Sequence, residues 1–331
     1  MYINALGFAV CAAIIFFAGK KLSYYGDLLA ELTGMGKAWI GFILMSTVTS
    51  LPELMVGISS VSIVGSADLA VGNIVGSCAF NLGILSLMDV FMPKNKPLFS
   101  QVSQSHILAA SFGIILIVLV GLGLYLDDIV ISPSMGLISL SFGVIYLLSV
   151  RSIYNYQKIH PVEEVSEAIQ QSPEITLRSV SLKYAGFALI IIATALALPY
   201  FAENIAAYTG LGESFVGTLF LAVSTSLPEI AISIIAIRTG STDMAVGNLL
   251  GSNIFNVFIL FFGDIFYTKG LLLKDASDAN LISVFAVVIM TAVAIIGFIA
   301  PGRSKRIFLA WDTLAILLLY ILNMILLYKL S

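Results

Sequence analysis

The segments Thr49–Asn81, TSLPELMVGISSVSIVGSADLAVGNIVGSCAFN, and Thr225–Asn256, TSLPEIAISIIAIRTGSTDMAVGNLLGSNIFN, are two versions of one pattern. Thr49 and Thr225 stand 176 residues apart, as do Glu53 and Glu229. Asn73 and Asn248, Ser77 and Ser252, and Asn81 and Asn256 stand 175 apart, one residue being lost between the two parts. The distal acids Asp89 and Asp264 keep the 175 offset. Identity at polar positions within apolar surroundings is more than shared hydrophobicity produces, so the chain is an internal duplication.

The surroundings set the medium. Of 331 residues, 59% are hydrophobic and 11% charged, against about 25% charged in ordinary soluble proteins. Too few charges remain to cover a soluble surface, and the hydrophobicity excludes disorder. A helix needs about 20 apolar residues to cross a bilayer. Ten such runs are expected, at 2–19, 38–64, 69–91, 106–124, 131–150, 180–200, 212–237, 243–267, 280–299 and 307–328. The first begins without a basic flank or a clear small-residue cleavage site, so it reads as a retained helix rather than a signal peptide.

With the N-terminus outside and the runs alternating, the inside loops hold Lys20, Lys21, Lys37, Lys94, Lys96, Arg151, Lys158, Arg178, Lys183, Arg238, Arg303, Lys305 and Arg306. The outside holds Lys269, Lys274 and Lys329. This is a strong positive-inside bias and places both termini outside. The fold expected is all-α integral membrane, with ten transmembrane helices. A first five-helix repeat covers 1–150 (its paired motif about 38–91), a cytoplasmic linker covers 151–179, and a second five-helix repeat covers 180–331 (motif about 212–267). An odd number of spans per half forces opposite orientations, the inverted-repeat plan of secondary transporters, with a site near the midplane. The linker carries Glu163, Glu164, Glu167 and Glu174 together with Pro161 and Pro173, and reads as a solvated connection.

The repeated residues define the chemistry. Glu53 and Glu229 lie inside apolar runs. A carboxylate at that depth costs at least about 2.5–3.5 kcal/mol and needs a partner. No Lys or Arg lies inside the central runs, so the partner is a proton or a bound cation. Pro52 and Pro228 remove a backbone donor and kink each helix, freeing carbonyls. Thr49 and Ser50 precede Glu53 by four and three residues, which puts all three on one helical face, and Thr225, Ser226 and Glu229 repeat this. Asn73, Ser77 and Asn81, like Asn248, Ser252 and Asn256, make polar stripes at i, i+4, i+8. The blander use of such a stripe is interhelical hydrogen bonding, which suits Asn73 and Asn248 best. Gly72, Gly76, Gly247 and Gly251 read as close-packing positions. Asp89 and Asp264 read as solvated at the interface, and Cys78 as packing.

The donor set is carboxylate, hydroxyl, amide and carbonyl oxygen, which suits hard cations such as Ca²⁺ and Na⁺. The net charge of −3 argues against nucleic acid. Cys11 and Cys78 form no CxxC motif, and His106 and His160 lie away from the repeats, so a zinc site is not expected. No nucleophile accompanies the glutamates, so an enzyme is not expected either. A passive channel fits broken, duplicated helices less well than alternating access.

These residues resemble the paired repeats of the cation/Ca²⁺ exchanger superfamily, most closely the sodium/calcium exchanger branch and its small prokaryotic members. The resemblance spans the ten-helix plan, both TSLPE segments and both GN…GS…FN segments. It implies a secondary active antiporter in the plasma (inner) membrane, exchanging Ca²⁺ for Na⁺. Lipid is its surroundings, no cofactor is resident and no obligate protein partner is evident. It implies Glu53 and Glu229 as the central Ca²⁺ carboxylates, which also meet Na⁺. Thr49, Ser50, Thr225 and Ser226 resemble the hydroxyl or carbonyl ligands beside them. Ser77 and Ser252 resemble the flanking Na⁺ hydroxyls, Asn81 and Asn256 the closing amides. The carbonyls of Ser46 and Ala222 would line the two ends, and the first and sixth spans would be the mobile gates, hinging near Gly34 and Gly36 or Gly210 and Gly212. Val48 and Ser224 stand where the family often has glycine. The neutral Asn256 argues against potassium coupling. Gly76 and Gly251, where proton-coupled relatives carry an acid, favour sodium over the rival Ca²⁺/H⁺ antiport.

Overall fold

The computed structural model describes residues 2–32, 46–47, 49–103, 106–126, 129–132, 135–159, 176–238, 242–302, 304–305 and 308–330. The start of the second run (38–45 and 48), the middle of the linker (160–175), Gly34 and Gly36 lie outside the described residues.

The structure is almost entirely helical, as an apolar medium requires. With no water to satisfy the backbone, each span must close its own hydrogen bonds. The chain runs through α1 (Tyr2–Leu32), α2 (Leu51–Ser59), α3 (Ala67–Phe91), α4 (His106–Tyr125), α5 (Leu137–Ile159) and α6 (Leu177–Thr209). It continues with α7 (Glu213–Val216), α8 (Ala222–Thr225), α9 (Leu227–Arg238), α10 (Thr242–Phe266), α11 (Leu272–Asp275), α12 (Asn280–Ile299) and α13 (Trp311–Leu330). Among the described residues eight helices are long and apolar enough to cross a membrane. The bent pair Glu213–Thr225 and Leu227–Arg238 makes a ninth, and Leu51–Val64 is a shorter apolar helix.

Three boundaries differ from the sequence expectation. Helix α1 continues past the apolar run of 2–19 as far as Leu32, because hydropathy reports only the slab of hydrocarbon while helix-forming residues carry the coil beyond it. The linker expected over 151–179 is helical at both ends, α5 reaching Ile159 and α6 starting at Leu177. The run expected from 131 begins as a small antiparallel ribbon, Val130–Ser132 with Met135–Gly136, before α5. Proline at 133 and the β-branched Val130 and Ile131 disfavour an earlier helix start. A purely α class therefore needs this minor amendment.

Helices α3 and α10 form the centre. Their apolar side chains join those of α4, α12 and α13 in one large cluster that includes Ile74, Leu85, Leu116, Leu250, Met290 and Ile316. Gly72 and Gly76 let α3 cross the π-turn Gly217–Leu221 at backbone contact. A Cβ on Gly76 would lie 2.5 Å from the Cα of Thr218, and one on Gly72 would lie 2.9 Å from the carbonyl of Ser214. Small residues at such crossings are the usual basis of packing between helices in lipid. Helices α1 and α6 pack along each other outside this centre. They meet it through small separate clusters, one containing Phe8, Ile15, Val56, Leu198 and Leu221, the other Ala18, Leu22 and Ile191.

Candidate cation site

Each TSLPE segment breaks its helix at the serine. Ser50 has φ −89° and ψ 11°, and Ser226 has φ −87° and ψ 9°. The cause is the proline two residues on, which cannot donate to the preceding turn. The serine amides still close the turn before, Ser50 to Ser46 O and Ser226 to Ala222 O, each at 3.0 Å. Helix α2 or α9 then restarts, with its glutamate as the third residue. In the second repeat the two parts meet at 43°. A π-turn, Ser60–Val64 or Gly217–Leu221, adjoins each broken helix.

The breaks bring the two glutamates together. Both are fully buried, and they lie within electrostatic range of one another. Ser226 Oγ donates to Glu53 Oε1 at 2.9 Å, which crosses from the second repeat to the first. Among the described residues, Glu53 Oε2 and both carboxylate oxygens of Glu229 have no hydrogen-bond partner. Ser50 Oγ, Ser77 Oγ, Asn81 Oδ1 and both amide atoms of Asn256 are likewise buried and unpartnered. Thr49 Oγ1 lies 3.4 Å from Ser252 Oγ, again across the repeats. Thr225 donates within its own helix and reaches Asn73 Oδ1 at 3.3 Å.

Buried polar atoms are nearly always hydrogen-bonded. A cluster of unpartnered oxygens around two acids is therefore costly by itself and chemically suited to a hard cation. Among the described residues no group of three or more His, Cys, Asp or Glu side chains is placed to hold a metal. A cation here would rely on the two carboxylates and neutral oxygens. The Ser46 carbonyl accepts from the Ser50 amide and from Thr49 Oγ1 at 3.2 Å, while the Ala222 carbonyl accepts from the Ser226 amide and competes for the single Thr225 hydroxyl proton, at 3.2 Å, with Leu221 O at 3.1 Å and Asn73 Oδ1 at 3.3 Å. Ser46 O can meet an ion when the Thr49 hydroxyl turns away, whereas Ala222 O keeps a free lone pair whenever Thr225 donates to Leu221 O or Asn73 Oδ1.

Three other polar features differ from their sequence reading or escaped it. Asp89 and Asp264 are buried, not solvated. Asp89 accepts from Leu98 N, Ala310 N and Thr313 Oγ1 and pairs with the buried Lys305 at 3.5 Å. Asp264 accepts from Leu272 N and Gly136 N. His106 is bound to Asp243 Oδ1 at 2.8 Å, and so joins α4 to the start of α10. Asn253 on α10 donates to Cys78 O at 3.2 Å and accepts from Asn81 Nδ2 at 3.0 Å. The only sequence signal for Asn253 was the mismatch of GSCAFN with GSNIFN.

A bundle of apolar helices that buries two glutamates and a set of polar side chains from two matching segments is the architecture of an integral membrane transport protein. Residues 3–151 and 180–329 match the family model described as sodium/calcium exchanger protein, and the chain belongs to that family of membrane cation/Ca²⁺ antiporters. It is 31% identical over 251 residues to the inner membrane protein YrbG of Escherichia coli (strain K12), covering 75% of this chain and 74% of that one. Among solved structures, the fold is similar to an H⁺/Ca²⁺ exchanger CAX with a TM-score of 0.73 at 16% identity, covering 97% of this chain and 82% of that one. It is also similar to a sodium-calcium exchanger with a TM-score of 0.61 at 20% identity, covering 97% of this chain and 98% of that one.

Proposed function

We propose that the protein exchanges Ca²⁺ for Na⁺ by alternating access, through ten spans arranged as two inverted five-helix repeats. Glu53 and Glu229 are the central ligands. Thr49, Ser50, Thr225 and Ser226 act beside them, and Ser77, Ser252, Asn81, Asn256 and the carbonyls of Ser46 and Ala222 complete the two ends. The observation that carries this reading is the pair of fully buried glutamates with three carboxylate oxygens unpartnered among the described residues. Among the described residues the buried lysine, Lys305, is engaged with Asp89 and the buried His106 with Asp243, which leaves the glutamates uncompensated.

With both glutamates ionised the empty site holds a formal charge of −2 in a low-dielectric setting, which is unfavourable. One Ca²⁺ or several Na⁺ neutralise it. The loaded protein can occlude and switch sides, while the empty one switches poorly, so that exchange prevails over leak. The smaller, separate apolar contacts of α1 and α6 support these two as the moving elements against the α3–α10 centre. Glycine in place of an acid at Gly76 and Gly251, and neutral amides at Asn81 and Asn256, support sodium. The cations are cargo, and no resident cofactor is required.

The second reading, Ca²⁺/H⁺ exchange, draws on the same burial, since a glutamate in such a place can also be neutralised by a proton. The test is uptake of radiolabelled Ca²⁺ into proteoliposomes. An outward Na⁺ gradient should drive it with the pH clamped on both sides. Uptake that follows an imposed pH gradient and ignores Na⁺ overturns the sodium reading. Glu53→Gln and Glu229→Gln should each lower the Ca²⁺ uptake rate about 10- to 100-fold, the equivalent of losing one charge-assisted contact of about 1.5–3 kcal/mol. Wild-type rates in both would remove these residues from the site.

A further inference from the structure

Cys78 and Asn253 hold the same position in the two repeats, 175 residues apart, and face one another across α3 and α10. Each donates to the other's backbone. Asn253 Nδ2 reaches Cys78 O at 3.2 Å, and Cys78 Sγ reaches Asn253 O at 3.7 Å. The asparagine has a second arm. Its Oδ1 accepts from Asn81 Nδ2 at 3.0 Å.

This chain of bonds leaves no freedom in the orientation of Asn81. A backbone carbonyl can only accept, so Asn253 must turn its NH₂ to Cys78 O and its oxygen to Asn81. Asn81 must then turn its own NH₂ to Asn253. Its remaining atom, Oδ1, is buried without a partner among the described residues. The matching residue Asn256 has no such constraint. Its neighbour is the Cys78 sulfur, whose single S–H is directed at Asn253 O, and a thiol that both donates and accepts does not select one orientation of an amide.

We propose that Asn253 is a positioning residue that holds the Asn81 amide with its oxygen presented to the transported cation, a constraint that Cys78, in the matching place, cannot impose on Asn256. The two ends of a repeat-symmetric site are then unequal, one amide being oriented by an asparagine and the other facing a thiol. This rests on the reading of Asn81 as an ion ligand.

Asn253→Cys separates the two arms, because a thiol keeps a donor for Cys78 O and loses the bond to Asn81. It should raise the KM for Ca²⁺ about 2- to 10-fold, the value of one hydrogen bond, with kcat within about 2-fold of wild type. Asn253→Ala should do the same. In an Asn81→Asp background, where a carboxylate offers oxygen in either orientation, adding Asn253→Cys should move KM less than about 2-fold. An unchanged KM in Asn253→Cys, or the same factor in both backgrounds, overturns the proposal. Asn81→Ala tells the two readings apart. A wild-type KM there removes Asn81 from the site, and the proposal with it. A raised KM there, with none in Asn253→Cys, leaves the site reading standing and rejects the latch.

Discussion

Asp89 and Asp264 occupy matched positions near the ends of α3 and α10, both buried, but in different company. Asp264 is held by the amides of Leu272 and Gly136. Asp89 has the equivalent amides, Leu98 and Ala310, and also Thr313 Oγ1 and the buried ammonium of Lys305, which in turn donates to the carbonyls of Asp89 and Met92. Removing one member of a buried ion pair strands the other, at about 3–5 kcal/mol. Removing a carboxylate that only caps amides costs nearer about 1–3 kcal/mol. Asp89→Ala should therefore lower the Tm in detergent clearly more than Asp264→Ala does, and Lys305→Met should restore part of the loss in the double variant. Equal Tm losses for the two alanine variants would contradict a stabilising ion pair. Sequence alone could not assign these roles. An aspartate near a span end is ordinarily at the interface, and the loop residues that surround it are distant in the chain. The glutamates were legible for the opposite reason, because the apolar runs on both sides left them no route to water.

At the scale of elements, the breaks in the two TSLPE helices were visible as prolines, whereas the π-turns were not. A π-turn follows from what packs against a helix, and here α3 presses on Gly217–Leu221 through Gly72 and Gly76. That segment leads directly into α8, and so to Thr225 and Ser226. A methyl added at Gly76 meets Thr218 Cα and O at 2.5 Å and Ala222 Cβ at 2.9 Å, two of these contacts being backbone. Gly76→Ala should therefore cost about 1–3 kcal/mol of stability and shift Ca²⁺ KM by displacing the second broken helix. Gly83→Ala on the same helix meets only the Tyr320 ring at 3.6 Å and should leave both unchanged. Normal transport in Gly76→Ala would show that the crossing is not tight. The start of α3 and α10 gives a second comparison. Asp68 accepts from Ser277 N and Asn280 Nδ2, and Asp243 accepts from Ser103 N and His106 Nε2, so Asn280 and His106 serve matched clasps. His106→Asn recreates the first clasp in the second place and should retain the wild-type Tm, while His106→Ala should lose about 1 kcal/mol, the low end for a partly exposed charged bond. A Tm for His106→Asn as low as that of His106→Ala would deny the equivalence.

The whole molecule is governed by one question of handedness, whether its two halves lie in the membrane in opposite senses. On the sequence reading the duplicated motifs and five runs per half imply it, and the basic residues, thirteen inside against three outside, would orient it. Hydropathy could supply these statements because insertion acts on each apolar run independently. The tertiary contacts that shape the site act later and leave no such trace. Lys94 and Lys269 provide a direct test, since they stand 175 apart, follow α3 and α10 at the matched place, and are both exposed. Inverted halves must put these two lysines on opposite faces, and parallel halves must put them on the same one. The native cysteines Cys11 and Cys78 are buried and should react slowly with a bulky, membrane-impermeant maleimide. In intact cells such a reagent should label Lys269→Cys and should reach Lys94→Cys only after permeabilisation. Labelling of both from outside, or of neither, would reject the inverted arrangement. Labelling of Lys94→Cys alone would keep the inversion and reverse the orientation, putting both termini and the three-lysine face in the cytoplasm.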